Sequence, residues 1–229
     1  MGRCSTVSRS AKGSGSGSAP EHAVPASALP RGRAPRDALR TVTKRKASKS
    51  EKAAAAPIET ARLVLRRPTA DDVDAILSRY AQDPEVTKYL GWKQHASADD
   101  TRAFLAWSDA QWQQWPAGPL LAFARDGGAL LGATGLAFET PLRASTGFAF
   151  AKDSWGKGYA TEALSAMAKL AKSLGVRRLY ALCHPDHKAS AKVLERCGFE
   201  REGLLRRHMP FPNLGGDEPA DVLCYSHLP

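Results

Sequence analysis

Residues Trp155 to Ala163 read Trp-Gly-Lys-Gly-Tyr-Ala-Thr-Glu-Ala, a set of types suited to holding a diphosphate. The first N–H groups of a helix have no partner inside it and point off its end, where the helix dipole also favours negative charge. Gly156 and Gly158 remove the side chains that would block an approaching phosphate, and Lys157 adds a positive charge. The helix itself comes next, with Ala163, Leu164, Met167, Leu170, Ala171 and Leu174 recurring on one face. An alternating run with Phe148 and Phe150 precedes the turn. A turn of this kind can also serve only as a helix cap. Two nucleotide-binding motifs are excluded. A dinucleotide fingerprint wants glycine or alanine where Thr161 stands, and an acid about 20 residues on, where Arg177, Arg178 and Leu179 stand. A Walker A loop wants Gly-Lys-Ser/Thr after four spacers, which this chain lacks.

The segment beyond the helix narrows the chemistry. Arg178–His184 reads as a buried strand, Pro185-Asp186-His187-Lys188-Ala189-Ser190 as a polar helix start, and Val193–Gly203 as Val-Leu-Glu-Arg-Cys-Gly-Phe-Glu-Arg-Glu-Gly. Together with the glycine turn, the late Asp221-Val222 pair and an opening strand at Ile58–Arg66, this resembles the GNAT family of acetyl-CoA-dependent N-acetyltransferases, in its RimJ/RimL-like branch. The resemblance runs in order through residues 57–229.

It implies an α+β (mixed α/β) fold: a mixed seven-stranded sheet with helices on both faces and a parallel strand pair splayed around the pantetheine arm of acetyl-CoA. Acetyl-CoA is then the co-substrate, with no metal. Phe148, Ala149, Phe150 and Ala151 would offer the arm their backbone, while Gly156, Lys157, Gly158, Tyr159, Ala160 and Thr161 would bind the pyrophosphate. His187 stands where the family carries an asparagine that contacts the arm. Ser190 matches the family serine near the sulfur and would protonate the departing thiolate. Two further positions depart from the pattern. Leu194 replaces the tyrosine of many members, and Met209 falls where some close relatives carry a glutamate base. The candidate bases are then Glu139, at a strand end and acting through water, and His208, whose ordinary pKa suits the task. Asp186 and His184 are expected to shape the site. The function implied is acetylation of a primary amine, either the α-amino group of a protein N-terminus or a small amine such as an aminoglycoside or polyamine. The alternative is a non-catalytic acetyl-CoA-binding module whose basic tail binds a polyanion.

The charge is unevenly placed. Residues 1–56 hold 12 Lys/Arg against three Asp/Glu, a net of +9, whereas residues 57–229 hold 21 against 20. The high isoelectric point therefore argues nothing about nucleic-acid binding by the domain. Residues 1–56 are Ser, Gly, Ala, Pro, Lys and Arg with few large apolar side chains, so they are expected to be disordered. Lys44-Arg45-Lys46 and Lys49 could contact nucleic acid or the ribosome, the plainer reading being a solvated charge run. Met1–Thr6 formally fits an acylation pattern and the tail a transit-peptide composition, an over-extended start being the third reading. No run of about 18 apolar residues exists, so no membrane contact is expected. The four cysteines, Cys4, Cys183, Cys197 and Cys224, show no Cys-x-x-Cys spacing and suit a reducing cytoplasm.

Positioning these residues takes seven strands and four helices. Thr69-Ala70-Asp71-Asp72 caps a helix to about Tyr80, and Ser97-Ala98-Asp99-Asp100 caps a second bearing Trp107, Trp112 and Trp115, expected as packing residues. Asp126-Gly127-Gly128 signals a hairpin between two strands.

Overall fold

The computed structural model describes residues 56–216 and 218–229. The tail expected over residues 1–56 thus lies outside the described residues, apart from Ala56. Eight strands form one sheet in the order β1-β2-β3-β4-β5-β6-β8-β7. They are β1 (Ile58–Glu59), β2 (Leu63–Arg66), β3 (Pro119–Ala124), β4 (Leu130–Thr140), β5 (Arg143–Phe150), β6 (Arg178–Cys183), β7 (Glu200–Met209) and β8 (Ala220–His227). The expected number is seven. The eighth arises because the run Ile58–Arg66 folds back on itself: Ile58 pairs with Leu65 and Glu59 with Val64, antiparallel. Thr60 makes the bend, its N–H donating to the Leu63 carbonyl at 2.9 Å and its hydroxyl oxygen accepting from the Leu63 N–H at 3.0 Å. The Asp126–Gly128 hairpin forms as expected, closed by Gly128 N–H to the Ala124 carbonyl at 2.9 Å.

Helices cover both faces. The helix α4 (Tyr159–Ser173) lays Leu164 and Met167, both fully buried, against Leu63, Leu65, Leu120, Leu136 and Leu179 of the sheet. This is the larger core, and truncating either side chain to alanine would cost about 2–5 kcal/mol. On the opposite face Ile76, Tyr80 and Val86 meet Leu121 and Leu130, with Phe104 and Leu105 of α3 (Ala98–Gln114) packed at the edge. The tryptophans of α3, and Trp115 just past its end, pack as expected. Trp112 donates to the Pro119 carbonyl at 3.0 Å, and Trp115 stacks on Phe138 at 5.4 Å.

The first helical run is less regular than its periodicity predicts. It opens as a 3-10 turn (Ala70–Asp72), becomes α1 (Val73–Ile76) and ends in a π turn (Leu77–Ala81). Asp72 holds its start: the carboxylate accepts from the Thr69 N–H at 2.7 Å and from both Arg66 nitrogens at 2.7 and 2.8 Å. Asp83 then accepts from Glu85 N–H at 2.8 Å and caps the short α2 (Pro84–Thr87), with Pro84 in the first turn where no N–H is needed. Among the described residues no helix is long and apolar enough to cross a membrane.

Candidate active site

The parallel strands β5 and β6 pair over three residues only, Arg143 with Arg178, Ala144 with Leu179 and Ser145 with Tyr180. Beyond Ser145 their facing edges have no ladder partner, and the gap holds a cavity of about 110 Å³. Thr146, Gly147 and Phe148 line it from β5, and Ala181, Leu182 and Cys183 from β6. His187, Ser190 and Leu194 close one wall, the last two from α5 (Lys188–Arg196). Burial pushes the Cys183 thiol up, while hydrogen bonding from the Ser190 hydroxyl and the Ala191 N–H pulls it the other way. Ser190 and Cys183 thus share the cavity wall.

At the end of β5 the chain turns through Trp155–Gly158 into α4. Gly158 is the residue before the helix and has φ +81°, a left-handed conformation that glycine adopts without strain. The first bond inside the helix runs from Glu162 N–H to the Gly158 carbonyl at 3.1 Å, so the N–H groups before it point outward. Gly156, Lys157 and Gly158 are all exposed, and a side chain built on Gly156 would meet nothing within 4 Å. The turn is held from outside. Arg62, in the bend between β1 and β2, donates to the Lys157 carbonyl at 2.8 Å and lies 4.7 Å over the Tyr159 ring. Glu162 accepts from the Thr60 hydroxyl at 2.6 Å, the Arg62 N–H at 2.7 Å and Arg62 Nε at 2.8 Å. Burial alone would raise the Glu162 pKa, but these donors outweigh it and hold the carboxyl below its ordinary value. Trp155 Nε1 donates to the Phe150 carbonyl at 2.7 Å, and Arg79 ties down Asp153 at 2.9 Å.

The far side of the cavity is aromatic. Tyr89 stacks on His184 at 4.8 Å and on His187 at 4.9 Å, and Phe211 meets His184 edge-on at 4.7 Å. Met209 also reaches the cavity, its methyl carbon filling the space that a Cβ on Gly91 would need. Asn213 fastens the two loops on this side. Its amide donates to the Thr87 and Trp92 carbonyls, each at 2.8 Å, and its oxygen accepts from Gln94 N–H at 2.8 Å.

A splayed parallel pair beside a glycine turn that opens a helix is the arrangement of one acetyltransferase fold, and known proteins bear this out. The model of the acetyltransferase (GNAT) domain matches residues 62–200. The chain belongs to the GNAT family. It is similar to YoaA of Bacillus subtilis, an uncharacterized N-acetyltransferase, at 31% identity over 155 residues, covering 66% of this chain and 87% of that protein. A GNAT-family acetyltransferase from Bacillus anthracis superposes with a TM-score of 0.66 at 26% identity, covering 76% of this chain and 98% of the other. RimL, the ribosomal L7/L12 α-N-protein acetyltransferase solved with coenzyme A, shares the fold at a TM-score of 0.67 and 24% identity, covering 76% of this chain and 98% of its own.

Within this GNAT chain, the expected site residues divide. Phe148, His187 and Ser190 line the cavity, Gly156, Lys157 and Gly158 form the turn, and Tyr159, Ala160 and Thr161 open α4. Ala149, Phe150 and Ala151 complete the β5 edge, with Phe150 buried in the larger core and Ala151 in the smaller. The two candidate bases stand elsewhere. Glu139 sits in the bulge between Phe138 and Thr140, at the closed end of the β5–β6 pair, where Arg143 and Tyr180 engage its carboxylate. His208 is exposed on β7, in the irregular stretch between Leu205 and Met209 where the register with β8 shifts and Arg207 takes φ +45°, while its neighbour Met209 reaches the cavity. Neither is among the residues lining the cavity. Arg62, Tyr89, Phe211 and Asn213 carry no local sequence signal for the parts they play here.

Proposed function

We propose that the protein transfers an acetyl group from acetyl-CoA to a primary amine by direct attack, both reactants being held together. The observation that carries this reading is the cavity where β5 and β6 part, with the Ser190 hydroxyl on its wall. The residues present fit acetyl-CoA. Outward N–H groups at the start of α4 and the bare Gly156 suit a diphosphate, and the unpaired strand edges suit an amide-bearing arm. The thioester that acetyl-CoA supplies is the acyl donor.

The chain's own residues then have three tasks. Backbone groups of Phe148 and its neighbours orient the arm. Tyr89, Phe211 and Met209 exclude water and leave room for an amine opposite it. Ser190 donates its hydroxyl proton to the sulfur as the carbon–sulfur bond breaks. Holding two reactants in register can lower a barrier by roughly 7–11 kcal/mol at best, and one well-placed acid adds about 10²–10⁴-fold. The acceptor is the α-amino group of a protein N-terminus or a small amine. Thiol release from acetyl-CoA should therefore depend on added amine, in a panel of Ser- and Ala-initiated peptides, spermidine and kanamycin. Release at the same rate with and without every amine would remove the reading.

A further inference from the structure

The described lining of the cavity includes no carboxylate, lysine or arginine. A primary amine arrives largely as an ammonium, since ordinary amine pKa values run from about 7.7 to 10.4. An ammonium has no lone pair with which to attack. A group in the cavity that takes its proton would speed the attack, and burial pushes the Cys183 thiol up, away from that role. Two imidazoles remain, His184 and His187.

They are not equivalent. Nδ1 of His184 accepts from the Asp186 N–H at 3.1 Å, so its neutral ring carries the proton on Nε2. Taking another proton would break that bond. Neither ring nitrogen of His187 bonds to another described residue. Its ring is fixed instead by stacking on Tyr89 at 4.9 Å, and its backbone carbonyl by Ala191 N–H at 3.2 Å.

We propose that His187 is the general base that takes the proton of the attacking amine, an inference that rests on the acetyl-transfer reading above. The asparagine of the family motif has no basic nitrogen, so this would be a property of the present chain. Burial first, then the neighbouring His184, lowers the His187 pKa, which keeps the ring neutral and receptive near pH 7. The other groups around it are Lys88 and Tyr89 before the cavity, Cys183 on β6, Asp186 in the turn and Lys188 on α5, while Thr146, Gly147, Phe148, Met209 and Phe211 bring no charge. The proton balance is simple. His187 removes one ammonium proton, and the freed lone pair forms the nitrogen–carbon bond as the carbon–sulfur bond breaks. Ser190 gives its proton to sulfur and takes one from the acylated nitrogen. The imidazolium returns its proton to water, leaving amide, thiol and one released proton.

The test compares full-length wild type with His187→Asn, which puts a good capping residue before α5 where the His187 side chain makes no cap bond, by thiol release from acetyl-CoA with spermidine and with the less basic glycinamide. Rates are taken between about pH 5 and 10, with acetyl-CoA titration and thermal melting alongside. For a base at His187, kcat should fall ~10²-fold or more near pH 7, with neither acetyl-CoA affinity nor melting temperature lowered. The variant's rate should then track deprotonation of the free amine, and its deficit should shrink for glycinamide. A variant that keeps the wild-type rate and pH profile overturns the proposal alone. So does a deficit equal at every pH and for both amines, which would mark a structural role. A wild type that binds acetyl-CoA yet acetylates neither amine nor any of the peptides overturns the transfer reading and the proposal together.

Discussion

Arg62 donates from Nη1 to the Lys157 carbonyl at 2.8 Å, joining the bend of the first hairpin to a glycine turn 95 positions later. The same guanidinium bonds Glu162 in the first turn of α4 at 2.8 Å. The shape of the turn is therefore set partly by a residue far away in sequence. Its neighbours Gly156 and Gly158 permit that shape, and Arg62 selects it.

Replacing Arg62 by methionine should loosen the turn without unfolding the domain. An exposed ion pair contributes only about 0.2–1 kcal/mol, so the melting temperature should drop slightly. Acetyl-CoA affinity should fall roughly three- to tenfold, up to about 1.4 kcal/mol. Calorimetric titration measures it. Unchanged affinity would mean that the turn holds its form unaided.

Stability should fall on the acid side. Burial alone would raise the pKa of Asp72 and Glu162, but Arg66 and Thr69 in one case, and Thr60 and Arg62 in the other, hold both carboxyls below their ordinary values. Glu202, bonded by Arg178 and Ser226, is lowered to about 2. A carboxyl with a folded pKa below its unfolded one stabilises the protein above the unfolded value. That contribution is lost as pH falls through the folded value. The melting temperature should stay level down to about pH 5 and decline from about pH 4 downward. Asp72→Asn should flatten the decline while lowering stability at neutral pH. A variant as acid-sensitive as wild type would show that Asp72 has no part in it.

Ser190→Ala separates chemistry from capping. If the hydroxyl protonates the leaving sulfur, kcat should drop about tenfold or more while acetyl-CoA affinity holds. Equal kcat would leave Ser190 a helix residue beside Cys183.

Features that depend on short-range pattern are legible in the sequence. The turn at Gly156 and Gly158, the apolar face of α4, the Asp126–Gly128 hairpin and the short helix at Ser190 each come from spacing and residue type within a few positions. The features that escape such reading are long-range. Thr60 breaks the first strand in two because Glu162, 102 residues on, takes its hydroxyl. Asn213 fastens Thr87 and Trp92 across more than 120 residues. Glu139 stands free at a strand end by sequence, but β6 brings Tyr180 onto it. His208 suits proton transfer by residue type, but it falls in the register shift between Leu205 and Met209 on β7, where it is exposed while Met209 reaches the cavity.

The diphosphate site is tested most directly by acetyl-CoA titration of Gly158→Leu against wild type, with circular dichroism as the folding control. At φ +81° a leucine is strained, and although its Cβ would make only an ordinary contact with Arg62 Nη2 at 3.4 Å, its branched end would crowd the N–H groups meant for phosphate. The turn is exposed, so the fold should survive. Binding should weaken at least about tenfold, some 1.4 kcal/mol. A folded variant that binds acetyl-CoA as tightly as wild type would contradict the assignment, because the diphosphate would then have to sit elsewhere.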